Sequence, residues 1–154
     1  MAAIPQFGTA QPGRAYPDRP AAFGIGLHDG RLAMARITLS NGAVVYDLPG
    51  GGIDPGEGAA QAMVREFGEE VGLRVAAGAE IARADQYFNN PEGGAVNVRG
   101  VFLAATDLVE QPGLKIEDDH ELVWLDPVEA MRRVRREAHA WAVAAWLRQQ
   151  GWAA

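Results

Sequence analysis

The chain has 154 residues, 48% apolar and 22% charged, as expected of one soluble domain with a single core. Its net charge of −6 argues against a nucleic-acid partner bound by neutralising a phosphate backbone. It has no cysteine, which excludes disulfides, thiolate metal sites and a cysteine nucleophile, and fits a reducing, cytoplasmic setting.

Residues 1–19, with Pro5, Pro12 and Pro17, read as a flexible or extended arm, and 20–154 as one domain. The arm has no basic stretch followed by an apolar run, so no signal peptide is expected, and no later run is long enough to span a bilayer. A small, apolar strand is predicted over 21–30, closing at Asp29-Gly30. Alternation over 31–39 predicts a second strand, and Ser40-Asn41-Gly42 a hairpin into a return strand over 43–48. The glycine-rich stretch 48–57 reads as a rigid loop, and a helix is expected over 58–71, stopped by Gly72. Strands over 79–88 and 95–106 flank a turn at 89–94. A loop then leads to a short strand over 121–125, a helix after Asp126-Pro127, and a last helix over 136–150.

The central helix carries the chemistry. At about 100° per residue, Ala60, Met63, Val64, Phe67 and Val71 share the core-facing arc, and Gln61 and Gly68 point to water. Glu66, Glu69 and Glu70 crowd the neighbouring arc, with Arg65 one turn before Glu69. A solvated acidic face is the plain alternative. Against it, like charges at these spacings destabilise a helix unless compensated, and these acids border the apolar arc instead of opposing it. Oxygen donors on one face suit a hard divalent cation, Mg²⁺ or Mn²⁺.

Gly51, Glu57, Arg65-Glu66-Phe67, Glu69-Glu70 and Gly72-Leu73 fall at the spacings of a complete Nudix box, and the chain resembles that family over these 23 positions. A chance match is on the order of one in a billion per window at average residue usage. The resemblance implies an α+β fold, an α/β/α sandwich with a mixed sheet between helices. It also implies Mg²⁺-dependent hydrolysis of a nucleoside diphosphate linked to another group. By matching position, Glu66, Glu69, Glu70 and the Gly50 carbonyl would hold the metal. Glu57 and Arg65 would orient that set, and Glu66 or Glu69 would act as base.

The resemblance also implies an additional acid from a later loop, here Glu117, Asp118, Asp119 or Glu121, with Asp119 preferred; His120 is either base or bystander. By the same resemblance Arg36 is a phosphate-contact candidate; read alone it is an ordinary strand arginine. Tyr87 and Phe88 could stack on a base or belong to the core, and Asn89, Asn90, Asn97 and Arg99 could read a base edge. Trp141, Trp146 and Leu147 would dock the last helix or form a dimer contact. Arg132, Arg133, Arg135 and Arg136 read most simply as a solvated basic face. The small-nucleotide substrate expected first is a (d)NTP, oxidised forms included, giving monophosphate and pyrophosphate. ADP-ribose, sugar nucleotides and dinucleoside polyphosphates remain open, as does a non-catalytic nucleotide sensor. The protein would act as a monomer or homodimer, away from membranes.

Overall fold

The computed structural model describes residues 3–90 and 93–151. In chain order the elements are β1 (Gln6–Phe7), β2 (Asp18–His28), β3 (Arg31–Thr38), β4 (Val44–Asp47), β5 (Gly50–Gly52), α1 (Ala59–Val71), β6 (Leu73–Asn89), β7 (Ala95–Glu110), β8 (His120–Leu125), α2 (Pro127–Arg133) and α3 (Glu137–Gln149). A short 3-10 turn, Pro112–Leu114, precedes β8. No helix among the described residues is long and apolar enough to cross a membrane.

The strands form one mixed sheet in the order β1-β6-β7-β2-β3-β4, with β5 paired to β2 and β8 to β3. β2 runs parallel to β7 from Asp18 opposite Asn97 to Gly26 opposite Ala105. It meets β3 only at the turn, Leu27 opposite Leu32 and His28 opposite Arg31. Beyond that point the sheet parts, and β5 takes the edge of β2 at Ala21–Phe23.

Helices cover both faces, so β3 buries successive residues from Leu32 to Ala35 instead of alternating. Phe23, Ile25, Leu32, Met34 and Phe102 pack under Val143, Trp146 and Leu147 of α3. Ala22, Ala33, Ala35 and Ile37 pack under Met63, Phe67 and Val71 of α1. Burying Met63 and Phe67 contributes roughly 1.5–3 kcal/mol each. This is the α/β/α sandwich expected.

α1 ends where the sequence indicates: Gly72 takes the left-handed conformation at φ 67° and its N–H bonds to the Gly68 carbonyl. Asp126 caps α2 by accepting from the Glu129 N–H at 3.0 Å. Four expectations change. Gly50–Gly52 is a strand, not a loop, and Gly68 is buried. A Cβ at Gly68 would lie 3.2 Å from Leu114, so a segment more than forty residues later, not water, covers it. Ala60 is exposed, and Ala62 takes its place in the core. β6 starts at Leu73 and β7 runs to Glu110, with register shifts between Arg74 and Ala82 that accommodate the small residues there. Within the predicted 89–94 turn, Pro91 and Glu92 lie outside the described residues.

The arm contributes β1, which pairs in parallel with β6, and Tyr16, whose hydroxyl donates to Asn89 Oδ1 at 2.7 Å. Trp146 and Leu147 dock α3; Trp141 stays at the surface against Phe7, ring centroids 6.1 Å apart.

Candidate active site

β5 is built of glycine because its neighbours leave no room for side chains. At Gly50, φ is 152° and a Cβ would meet the Phe23 Cα at 2.6 Å. At Gly51 a Cβ would come within 2.8 Å of Glu66 Oε1, and at Gly52 within 3.1 Å of the Arg19 guanidinium. The strand therefore lies directly against the carboxylate face of α1.

On that face Arg65 is the organising cation. Its Nε and one terminal nitrogen donate to both oxygens of Glu57 at 2.8 and 2.9 Å. The other terminal nitrogen donates to Glu66 Oε1 and Glu69 Oε2, each at 3.0 Å, and the guanidinium also reaches the Gly52 carbonyl at 3.1 Å. Such fork geometry fixes three acids at once, which an ammonium could not do. The hydrogen bonds to Arg65 hold the Glu57 carboxyl down at about 2.

Glu66 and Glu70 are different. Burial, and then the charge of Glu70, push Glu66 up to about 7 against the pull of Arg65. Burial also raises Glu70, although it accepts from the Gly50 N–H at 3.0 Å and faces His120 Nε2 at 3.2 Å. The other imidazole nitrogen of His120 lies 2.7 Å from Asp119. Burial alone would lower His120, but the two carboxylates win and hold it at about 9. The loop carrying this pair is tied to α1 because the Glu69 carbonyl accepts from the N–H groups of Ile116 and Glu117 at 2.9 and 3.1 Å. Glu117, Asp119 and His120 bring ligating atoms within 4.8 Å of one another.

These groups form one wall of a cleft of about 730 Å³, which Gly50–Gly52, Glu66, Glu70, Glu117, Asp119 and His120 line. Arg19, Asp47, Phe88, Arg135 and Arg136 are also in its lining. Arg135 grips Asp47 through two nitrogens at 2.9 and 3.2 Å, and Arg136 stands 3.5 Å from the same carboxylate. Burial would raise Asp47, but Arg136, His139 and Arg135 hold it below the usual carboxylate range. The Arg136 guanidinium lies 4.1 Å from the Phe88 ring centroid.

The structure thus brings together Gly50, Glu57, Arg65, Glu66, Glu69 and Glu70, with Asp119 and Phe88 in the cleft lining. Tyr87, Arg99 and Arg36 are not in that lining. Tyr87 packs edge-on against Tyr16, Arg99 pairs with Asp18 and Asp85, and Arg36 lies 3.6 Å from Glu121. Asn90 reaches the lining, whereas Asn89 bonds to Arg14 and Asn97 to Gln6. The arginine cluster divides. Arg132 and Arg133 pair with Glu129 at the surface, but Arg135 and Arg136 turn inward where Val134 breaks the helix. Arg135 and Arg136, together with Arg19 and Asp47, are the cleft residues that sequence reasoning missed. The isolated Asp47 between apolar residues and the stop at Pro49 was the available signal.

A family model described as NUDIX domain matches residues 17–147. The chain is 30% identical over 106 residues to the CTP pyrophosphohydrolase of Escherichia coli (strain K12), which spans 68% of this chain and 73% of that protein. It is 40% identical over 75 residues to the RNA pyrophosphohydrolase of Sphingopyxis alaskensis, covering 47% of this chain and 46% of that one. The structure of a NUDIX hydrolase from Nitrosomonas europaea superposes with a TM-score of 0.70 at 15% identity, over 86% of this chain and 90% of the other.

Proposed function

The chain belongs to the Nudix family and hydrolyses phosphoanhydride bonds, and on that footing we propose that it converts a nucleoside triphosphate, oxidised forms included, to the monophosphate and pyrophosphate. The observation that carries the reading is the carboxylate face itself: Glu57, Glu66 and Glu69 bonded to one arginine, with Glu66 and Glu70 presented to a nucleotide-sized cleft.

The donor set fits Mg²⁺, with Mn²⁺ as a substitute. Two desolvated carboxylates, raised above their ordinary range, stand beside one another with a third acid and a glycine strand at hand. Glu66, Glu69, Glu70 and the Gly50 carbonyl would hold the ion, which would neutralise the diphosphate and acidify a bound water. Arg65 and Glu57 keep Glu66 and Glu69 in place. His120, oriented by Asp119, does the same for Glu70. Glu66, facing the cleft, takes the proton of the attacking water. Phe88 offers an aromatic surface to the base.

The triphosphate reading draws support from the name of the Escherichia coli relative, and the net charge of −6 disfavours a long nucleic-acid substrate. An intact acid set favours turnover over ligand sensing. The protein acts in the cytoplasm, as a monomer or homodimer.

The test is a Mg²⁺-supported screen of (d)NTPs, oxidised (d)NTPs, ADP-ribose, nucleotide sugars and dinucleoside polyphosphates, with products identified. Preference for a triphosphate with release of pyrophosphate is expected. Turnover of a two-sided diphosphate alone would overturn the substrate assignment. Tight nucleotide binding with no turnover would replace the enzyme with a sensor.

A further inference from the structure

The cleft that holds the carboxylates also holds three arginines. Arg19, Arg135 and Arg136 line it, and Asp47 is the carboxylate that Arg135 and Arg136 pair with. Each guanidinium brings about five N–H donors and a carboxylate about four acceptor sites. Arg135 already occupies most of Asp47. Arg136 is left with a 3.5 Å contact, and its buried Nε has no hydrogen-bond partner. Burial lowers the Arg136 guanidinium, with repulsion from Arg135 and Arg19 adding to it and the charges of Asp47 and Glu70 pulling the other way. The Arg19 side chain makes no hydrogen bond or ion pair among the described residues, its backbone pairing with β7.

The position of Arg19 is specific. Its guanidinium lies on Gly52, in space that any side chain at residue 52 would take. The adjacent residue, Gly51, lies against the Glu66 carboxylate in the same way. Neighbouring Cα atoms are about 3.8 Å apart. A free cation and the cleft-facing acid therefore bracket two successive residues of β5, close enough for one polyphosphate chain to meet both.

We infer that Arg19, supported by Arg136, forms an anion subsite that holds the terminal phosphate of the substrate, the end that leaves as pyrophosphate. The inference rests on the triphosphate reading for its substrate, but not for its binding chemistry. A planar guanidinium with free donors recognises a phosphate in bidentate fashion. Arg36, the arginine that sequence suggests for this work, is turned toward Glu121 instead.

The probe is inorganic pyrophosphate, titrated calorimetrically with Mg²⁺ into the full chain and its variants. Arg19→Ala should weaken binding at least tenfold and Arg19→Lys should recover part of the loss. Arg31→Ala, which removes an exposed charge at the β2–β3 turn, should bind as the parent does. In kinetics, Arg19→Ala should raise KM for a triphosphate more than for the matching diphosphate, with a smaller change in kcat. Equal pyrophosphate affinity in parent and Arg19→Ala, or an equal loss in Arg31→Ala, overturns the subsite. If no triphosphate is turned over, the functional reading fails while the calorimetry still decides the subsite.

Discussion

Protonating His139 should destabilise the fold, and the size of the effect follows from its surroundings. The imidazole is 1% exposed, packs on Phe23 and Phe102, and accepts the Leu48 N–H at Nδ1, 3.1 Å away. Burial, set against Asp47 and reinforced by Arg136 and Arg135, lowers it from 6.5 to about 3. Because the folded-state value lies below the unfolded one, the unfolded chain binds a proton in this window that the folded chain refuses. Stability is therefore complete above the unfolded value and is lost as pH falls from about 6.5 toward about 3. Between about pH 7.5 and about pH 4.5 the contribution is about 2.7 kcal/mol, at about 1.36 kcal/mol per pH unit once the unfolded imidazole is charged. Other groups titrate there too, and Glu66 and Glu70 act in the opposite direction, so the comparison is with His139→Asn. The Asn Oδ1 can accept the Leu48 N–H but does not ionise. Urea unfolding at stepped pH should show the wild type losing about 2.7 kcal/mol more than the variant over this window. Parallel losses would refute a neutral, proton-excluding His139.

Three further outcomes are expected. Gly24→Ala places a Cβ 2.5 Å from Phe67 and 2.8 Å from Met63, and should cost about 1–3 kcal/mol in urea denaturation, with kcat little changed. Arg65→Lys cannot serve Glu57, Glu66, Glu69 and the Gly52 carbonyl together, so kcat should fall by roughly 10–100-fold at nearly constant KM while circular dichroism stays native. Mg²⁺ should raise the thermal midpoint of the wild type in scanning calorimetry. Glu70→Gln should stay folded, lose most of the rate and show a much smaller shift.

Short-range signals were readable and long-range ones were not. α1 announces itself through its period and Gly72, and the acids, Arg65 and the glycines state their relation within one stretch of chain. The placement of Gly68 depended on Leu114, and that of Arg135 and Arg136 on Asp47, 88 residues before Arg135. In sequence these last two are indistinguishable from Arg132 and Arg133, and only the break at Val134 separates them. β6 began earlier than expected because residues 76–79 are alanine and glycine, poor strand formers held by their neighbours. The glycines of β5 likewise look like a loop until β2 is beside them.

The parallel pairing of β2 with β7 also sets an order of events. The two strands are separated by about 80 residues, and in the meantime β2 has short pairings with β3 and β5 and its packing on α1 to hold it. A chain emerging from a ribosome must therefore carry β2 as an open edge until β7 has been made, and it gains Arg135, Arg136 and His139 later still. Refolding should be slow for a protein of this size and should favour dilute conditions. The cleft becomes whole only when nearly all the described chain is present, so hydrolysis and completion of the fold arrive together.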